Sequence, residues 1–275
     1  MKSLSKEDLK FDKKLGFIGC GKMASAIASG IYKNSFIKSN NIYLFDINEN
    51  QKEKLAGEFG FNTTKSIEEL VNTVDVIFLA VKPFVVDDVL AEIQKNYKNQ
   101  LILSILAGVK IEKYKKYLKN SKVIRIMPNT PALVNTGMSA ICPDEVVDSN
   151  DIEIAKKIMS GCGKILLTSE EKIDVITALS GSGPAFYYKI IELMAKSAQK
   201  LGLSEDEALL LSTQTALGSA KMIFENNFDI STLITNVTTP GGCTAVGNEV
   251  LNNSDIDKIF DKLIKDTMQK AIELG

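Results

Sequence analysis

Leu15-Gly16-Phe17-Ile18-Gly19-Cys20-Gly21-Lys22-Met23-Ala24 is the stretch that decides the fold of this chain. Leu15 to Ile18 reads as a short buried strand, and Lys22 to Tyr32 carries the apolar spacing of a helix. The glycine-rich string between them means something only in that strand–turn–helix setting. Gly19 permits the tight turn, Gly21 lets the backbone approach a pyrophosphate, and Ala24 lets the helix pack close to the sheet. The helix then presents free N–H groups and its positive dipole end to the phosphates. Gly19, Gly21, Lys22 and Met23 are the candidate contacts of a bound dinucleotide.

Outward from this turn, short apolar runs alternate with amphipathic stretches. Ile42 to Phe45, Asp75 to Ala80, Leu101 to Ile105 and Val123 to Met127 read as further buried strands. Glu49 to Phe59 and Val85 to Ile93 read as helices between them. Met138 to Ile141 and Lys164 to Leu167 add two more strands around a helix at Asp151 to Met159. This rhythm predicts an α/β, doubly wound, parallel sheet of Rossmann type over residues 1–168.

After Thr168 no strand is predicted, and residues 169–275 read as an all-α domain. Ser169 starts a helix, with Glu170 and Glu171 in its first turn and Gly181 and Gly183 at its end. Pro184 opens a long helix that Gly202 stops after Leu201. Ser204 with Glu207 forms a capping box for a helix reaching Glu225. Asp229 caps a short helix, and Ser254 caps the last one, which runs through Leu274.

Composition narrows the function. With 45% hydrophobic and 24% charged residues over 275 positions and a net charge of −1, the chain is of the soluble globular class without a polyanion partner. Arg125 is its only arginine, which argues against nucleic-acid recognition. No apolar signal segment precedes Lys14, and runs such as Val74 to Val81 are too short to span a membrane. Cys20, Cys142, Cys162 and Cys243 form no CxxC pair and histidine is absent, so no metal site is expected and the thiols read as reduced, cytoplasmic residues. Without histidine, acid–base chemistry must use another group or need none.

Asp46 closes the second strand, twenty-two positions after Ala24. A carboxylate there accepts from the adenosine ribose hydroxyls and repels a 2′-phosphate, which favours NADH over NADPH. The alternative is a solvated aspartate opening a turn. Ala80-Val81-Lys82-Pro83 and Met127-Pro128-Asn129-Thr130-Pro131 lie at other strand ends, where ligands of open α/β sheets bind. Lys82 fits either a phosphate contact or a solvated surface. Arg125 has no assignment. The stripe Ile190, Leu193, Met194 and Ala198 fits a core or a dimer interface.

Two later segments, Leu179-Ser180-Gly181-Ser182-Gly183-Pro184 and Asn236-Val237-Thr238-Thr239-Pro240-Gly241-Gly242-Cys243-Thr244, complete a set. In this order and spacing the chain, from Leu15 to the C-terminus, resembles the Δ1-pyrroline-5-carboxylate reductase family. The resemblance implies NAD(P)H-dependent reduction of a cyclic C=N bond to L-proline by a homo-oligomer joined through its helical domain. It places cofactor contacts at Ala80, Val81, Lys82, Pro83 and Asn129, and the substrate carboxylate at Thr239, Gly241, Gly242 and Cys243. Thr244 would lie near the imine nitrogen as the catalytic hydroxyl. The residues themselves agree, because Pro240-Gly241-Gly242 leading into a helix forms an anion site without arginine. Another imine or β-hydroxyacid-type reductase with Lys189 as acid, or a catalytically silent dinucleotide-binding paralogue, are the alternatives.

Overall fold

The computed structural model describes residues 12–225 and 229–273; residues 1–11, Leu274 and the rest of the expected termini lie outside them. Two compact units are present, residues 12–181 with 267–273, and the described residues from 182 to 266.

The first unit is built on eight strands: β1 (Leu15–Ile18), β2 (Ile42–Phe45), β3 (Asn62–Thr63), β4 (Val76–Leu79), β5 (Leu101–Ser104), β6 (Val123–Met127), β7 (Gly137–Pro143) and β8 (Gly163–Leu167). Their order is β3-β2-β1-β4-β5-β6-β7-β8. Because β1, β4, β5 and β6 are buried along their whole length, they appear in the sequence as unbroken apolar runs rather than alternating ones. Alternate side chains feed two cores. Leu15, Phe17, Val76, Phe78 and Ile124 pack on one face with α1 (Lys22–Asn34), α2 (Glu49–Phe59) and α6 (Ser149–Ser160). Ile18, Ile77, Leu79, Ile102 and Met127 pack on the other with α3 (Ile67–Thr73), α4 (Val86–Gln94) and α5 (Ile111–Tyr117). This is the doubly wound arrangement.

Two departures from the expected sheet have simple causes. β7 runs antiparallel to β6, although it is parallel to β8. Only a 3₁₀ turn at Thr130–Val134 joins β6 to β7, and a parallel crossover needs a dozen or more residues. β3 is a two-residue edge strand paired with Tyr43 and Leu44, too short to leave a pattern.

The helix expected from Ser169 to Gly181 is instead three pieces in register: a 3₁₀ turn at Glu170–Lys172, α7 (Ile173–Ile176) and a π turn at Thr177–Gly181. The second unit then holds α8 (Gly183–Gln199), α9 (Glu205–Glu225), α10 (Ile230–Val237), α11 (Cys243–Asn252) and most of α12 (Ile256–Glu273). Glu207 accepts from the Ser204 backbone at 2.9 Å while its own N–H reaches Ser204 Oγ at 3.4 Å, the reciprocal capping box. Asp229 caps α10 through Ser231 N–H at 3.1 Å. Ser254 Oγ takes the Ile256 N–H at 3.3 Å ahead of α12.

Candidate active site

The glycine turn sits where β1 ends between β2 and β4. Gly19 N–H donates to the Phe45 carbonyl at 2.8 Å, and Ala80 N–H donates to the Ile18 carbonyl at 2.9 Å. Gly19 has φ +98°, and a Cβ added there would lie 2.7 Å from the Ala80 carbonyl oxygen, so both conformation and space require glycine. At Gly21 an added Cβ meets no protein atom within 4 Å. Gly21 is the N-cap of α1, which no side chain caps and whose first turn holds no acid. The first N–H groups of α1 therefore open onto free space, as a pyrophosphate site requires.

Asp46 is joined to this turn directly. Its carboxylate accepts from Cys20 N–H at 2.6 Å and from Asn48 N–H at 2.8 Å. Asn48 in turn caps α2 through Gln51 N–H at 3.2 Å. Sequence reasoning expected Asp46 beside a ribose and missed that it braces the turn. Cys20 is buried, and burial, reinforced by the Asp46 charge and opposed by Lys52, pushes its thiol up to about 12. Such a thiol stays protonated and unreactive near neutrality.

Lys82 is exposed and precedes a 3₁₀ turn at Pro83–Val85; Ala80 and Val81 lie half-buried beside Gly19. Asn129 is half-buried after β6, with Oδ1 accepting from Met138 N–H at 2.8 Å and Nδ2 donating to the Ser180 carbonyl at 3.2 Å. Arg125, unassigned from sequence, is a buried strand residue whose guanidinium pairs with the Glu170 carboxylate. Glu170 also accepts from Ile111 N–H at 2.8 Å. The partners lie forty-five residues apart, and no local pattern links them.

In the helical unit the segment Thr238 to Thr244 is a turn running into α11. Gly242 is the N-cap of α11 and has no side-chain cap. Its own N–H closes the turn onto the Thr239 carbonyl at 2.9 Å, so the N–H groups left open at the helix start are those of Cys243 and Thr244. A Cβ on Gly242 would stand 2.4 Å from Thr239 Oγ1, so glycine is what admits the Thr239 hydroxyl there. Asn248, which sequence reasoning missed, donates from one turn further along α11 to Thr238 Oγ1 at 2.9 Å. Thr239, Cys243 and Thr244 are all exposed. Lys189 on α8 is ion-paired with Glu192 at 2.7 Å. Ile190, Leu193 and Met194 are exposed within the chain itself, so that stripe does not form a core of the single chain.

Among the described residues no cluster of histidine, cysteine and carboxylates could hold a metal ion. Among them, too, no helix is long and apolar enough to cross a membrane.

The family described as pyrroline-5-carboxylate reductase dimerisation matches residues 170–274, and the one described as NADP oxidoreductase coenzyme F420-dependent matches residues 14–108. The chain is 34% identical over 264 residues to pyrroline-5-carboxylate reductase of Escherichia coli K12, covering 95% of this chain and 97% of that one. A solved pyrroline-5-carboxylate reductase from Coxiella burnetii superposes with a TM-score of 0.91 at 32% identity, covering 96% of this chain and 98% of that one. One from Plasmodium falciparum, solved with NADP bound, gives 0.85 at 33% identity with the same coverage. With this similarity along nearly the whole of each chain, the protein belongs to the pyrroline-5-carboxylate reductase family and is an NAD(P)H-dependent oxidoreductase acting on that substrate.

Proposed function

We propose that this chain reduces pyrroline-5-carboxylate to proline with its dinucleotide on the Gly19 turn and its substrate on the Thr239–Thr244 turn. The observation that carries the reading is a pair of glycine N-caps, Gly21 on α1 and Gly242 on α11, each opening an uncapped helix start. A pyrophosphate and a carboxylate are the two anions the reaction brings, and the chain offers each a helix N-terminus instead of an arginine.

On the cofactor side Gly19, Gly21, Lys22 and Met23 take the pyrophosphate, and Asp46 takes the ribose hydroxyls. Ala80, Val81, Lys82 and Pro83 border the cofactor along the next strand end, and Asn129 borders its nicotinamide end. Bound NAD(P)H supplies the hydride. Asp46, its carboxylate held by two backbone N–H groups, favours NADH over NADPH. On the substrate side the open N–H groups of Cys243 and Thr244 and the Thr239 hydroxyl hold the carboxylate. Gly241 and Gly242 supply the shape of the turn.

The absence of histidine fits this chemistry. A protonated cyclic imine that accepts hydride at carbon becomes the secondary amine directly, so no side chain has to deliver a proton in that step. The protein positions the ring and tolerates the charge on nitrogen. Thr244 orients the nitrogen through its hydroxyl. The helical domain, taken from Ser169 onward where the last strand has ended, joins a second copy through its apolar face. The buried thiols of Cys20, Cys142 and Cys162, free of disulfides, are what supports a reducing, cytoplasmic setting.

The test is oxidation of NADH and of NADPH with pyrroline-5-carboxylate, with a simple 2-keto acid as control. Turnover with the imine and faster turnover with NADH are expected; no imine turnover with either cofactor overturns the reading. Asp46→Ser should lower the NADH-to-NADPH ratio of kcat/KM by roughly tenfold, since an ionic hydrogen bond of this kind is worth about 1.5–3 kcal/mol. Thr244→Ala should lower kcat by roughly tenfold to a hundredfold while NADH binding, measured by fluorescence titration, stays the same.

A further inference from the structure

We propose that Asn129 is a positioning residue for hydride transfer, whose amide, clamped between the Met138 N–H and the Ser180 carbonyl, fixes the π turn at Thr177–Gly181. The proposal rests on the reading of the strand ends as the dinucleotide site.

The amide cannot be turned the other way round. Met138 N–H is a donor only and meets Oδ1 at 2.8 Å, while the Ser180 carbonyl is an acceptor only and meets Nδ2 at 3.2 Å. Ser180 Oγ lies at 3.4 Å from the same nitrogen. Both ends of the side chain are thus engaged by protein, on two different segments.

The surroundings show what the clamp holds. Arg125, Met127 and Asn129 stand at every second position along β6 and its extension, so their side chains fall on one face. Each meets the segment by which the chain leaves the first unit. Arg125 pairs with Glu170 at its beginning. Met127 Sδ lies 3.5 Å from where a Cβ on Gly181 would be, and Asn129 holds Ser180. A π turn widens the helical ladder by one residue and changes which carbonyls are left for outside partners. Here the Ser180 carbonyl is given to Asn129. Of the three contacts, that of Asn129 lies nearest the carboxyl ends of the strands, where hydride transfer is geometrically demanding: misplacement by about 1 Å costs on the order of a hundredfold in rate.

Asn129→Asp and Asn129→Leu, compared in the full-length enzyme, test the proposal. At neutral pH both lack the donor to the Ser180 carbonyl, and kcat should fall by roughly tenfold to a hundredfold with the NADH dissociation constant changed less than about twofold. Asn129→Asp should recover activity as the pH is lowered and its carboxyl is protonated, because the acid form can donate to the carbonyl again. Asn129→Leu should not recover, and Ser180→Ala, which keeps the carbonyl, should lose about threefold or less. Wild-type kcat in both Asn129 variants overturns the proposal. A fall in thermal stability with kcat per folded enzyme intact also does so. So does an NADH dissociation constant weakened about tenfold without recovery at low pH, which marks a direct cofactor contact. Gly21→Val is the control for the underlying reading: unaltered NADH binding in that variant shows that the strand ends are not the dinucleotide site, whatever the Asn129 variants do.

Discussion

In the first unit, β1, β4, β5 and β6 are buried from end to end, and their side chains fill two continuous cores. In the second, α9 runs for 21 residues, and Ala208 is its only buried residue among those described. Leu209, Leu210 and Leu211 are 50%, 69% and 55% exposed. A helix that is apolar around most of its circumference belongs inside something. The first unit supplies its own inside; the second does not, and the match of residues 170–274 to a dimerisation family points to a second copy as what covers it. On that reading the stability of the Rossmann unit is a matter of one chain, whereas the helical unit, which holds the proposed substrate turn, is expected to depend on concentration as well.

The sharpest way to break this contrast is to charge the exposed face of α9. Leu210 and Leu217, seven residues apart, share that face and are 69% and 60% exposed. Leu210→Glu with Leu217→Glu should yield a dissociated chain by sedimentation, with kcat/KM lowered by more than about a hundredfold, because unpaired carboxylates at the centre of an interface are poorly tolerated. NADH should still bind. An active oligomer of unchanged mass would mean that the face is not the interface.

The converse change belongs in the first unit. Gly19→Val adds a β-branched side chain at φ +98° and pushes a carbon into the Ala80 carbonyl. The backbone conformation alone costs about 1–3 kcal/mol, so NADH affinity should weaken by roughly thirtyfold or more, with the oligomer intact. Loss of the oligomer along with the cofactor would show that the two units are not independent in this respect.

The first unit was also the more legible from sequence, for the same physical reason. Strands buried from end to end must be apolar throughout, so β1 and β6 stood out with their ends in place, as did the equally apolar β2. The direction of β7 did not, because it follows from the length of the Met127–Gly137 connection rather than from the strand residues. The caps at Ser204, Asp229 and Ser254 were readable because their partners are local, and the glycine turn because its residue types stand between a strand and a helix. The division of the 170–181 segment into 3₁₀, α and π pieces was not, and neither was the role of Arg125. Both depend on partners brought in from a distant strand, Arg125 for Glu170 and Asn129 for Ser180. The same limit applies to Asp46: its position named the ribose, but its bond to Cys20 N–H is visible only in three dimensions.

The smallest predicted effect concerns Lys189, and it separates this chemistry from that of a hydroxyacid-type reductase using a lysine acid on the same helix. Lys189 and Lys196 both hydrogen-bond Glu192, and these bonds hold its carboxyl down to about 2, from an ordinary 4.5. A carboxyl lowered on folding contributes stability that is complete above its ordinary value and is lost as the pH falls toward 2. Lys189→Met removes one of the two partners, so the Glu192 carboxyl should rise and the acid unfolding midpoint should move slightly toward neutrality. All three side chains are substantially exposed, so the shift is damped by solvent. At neutral pH kcat should stay within about twofold of wild type, as for an ordinary surface substitution. A hundredfold loss of kcat, with one limb of the pH–rate profile gone, would instead make Lys189 the proton donor. The imine chemistry, which needs no such donor, would then have to be given up.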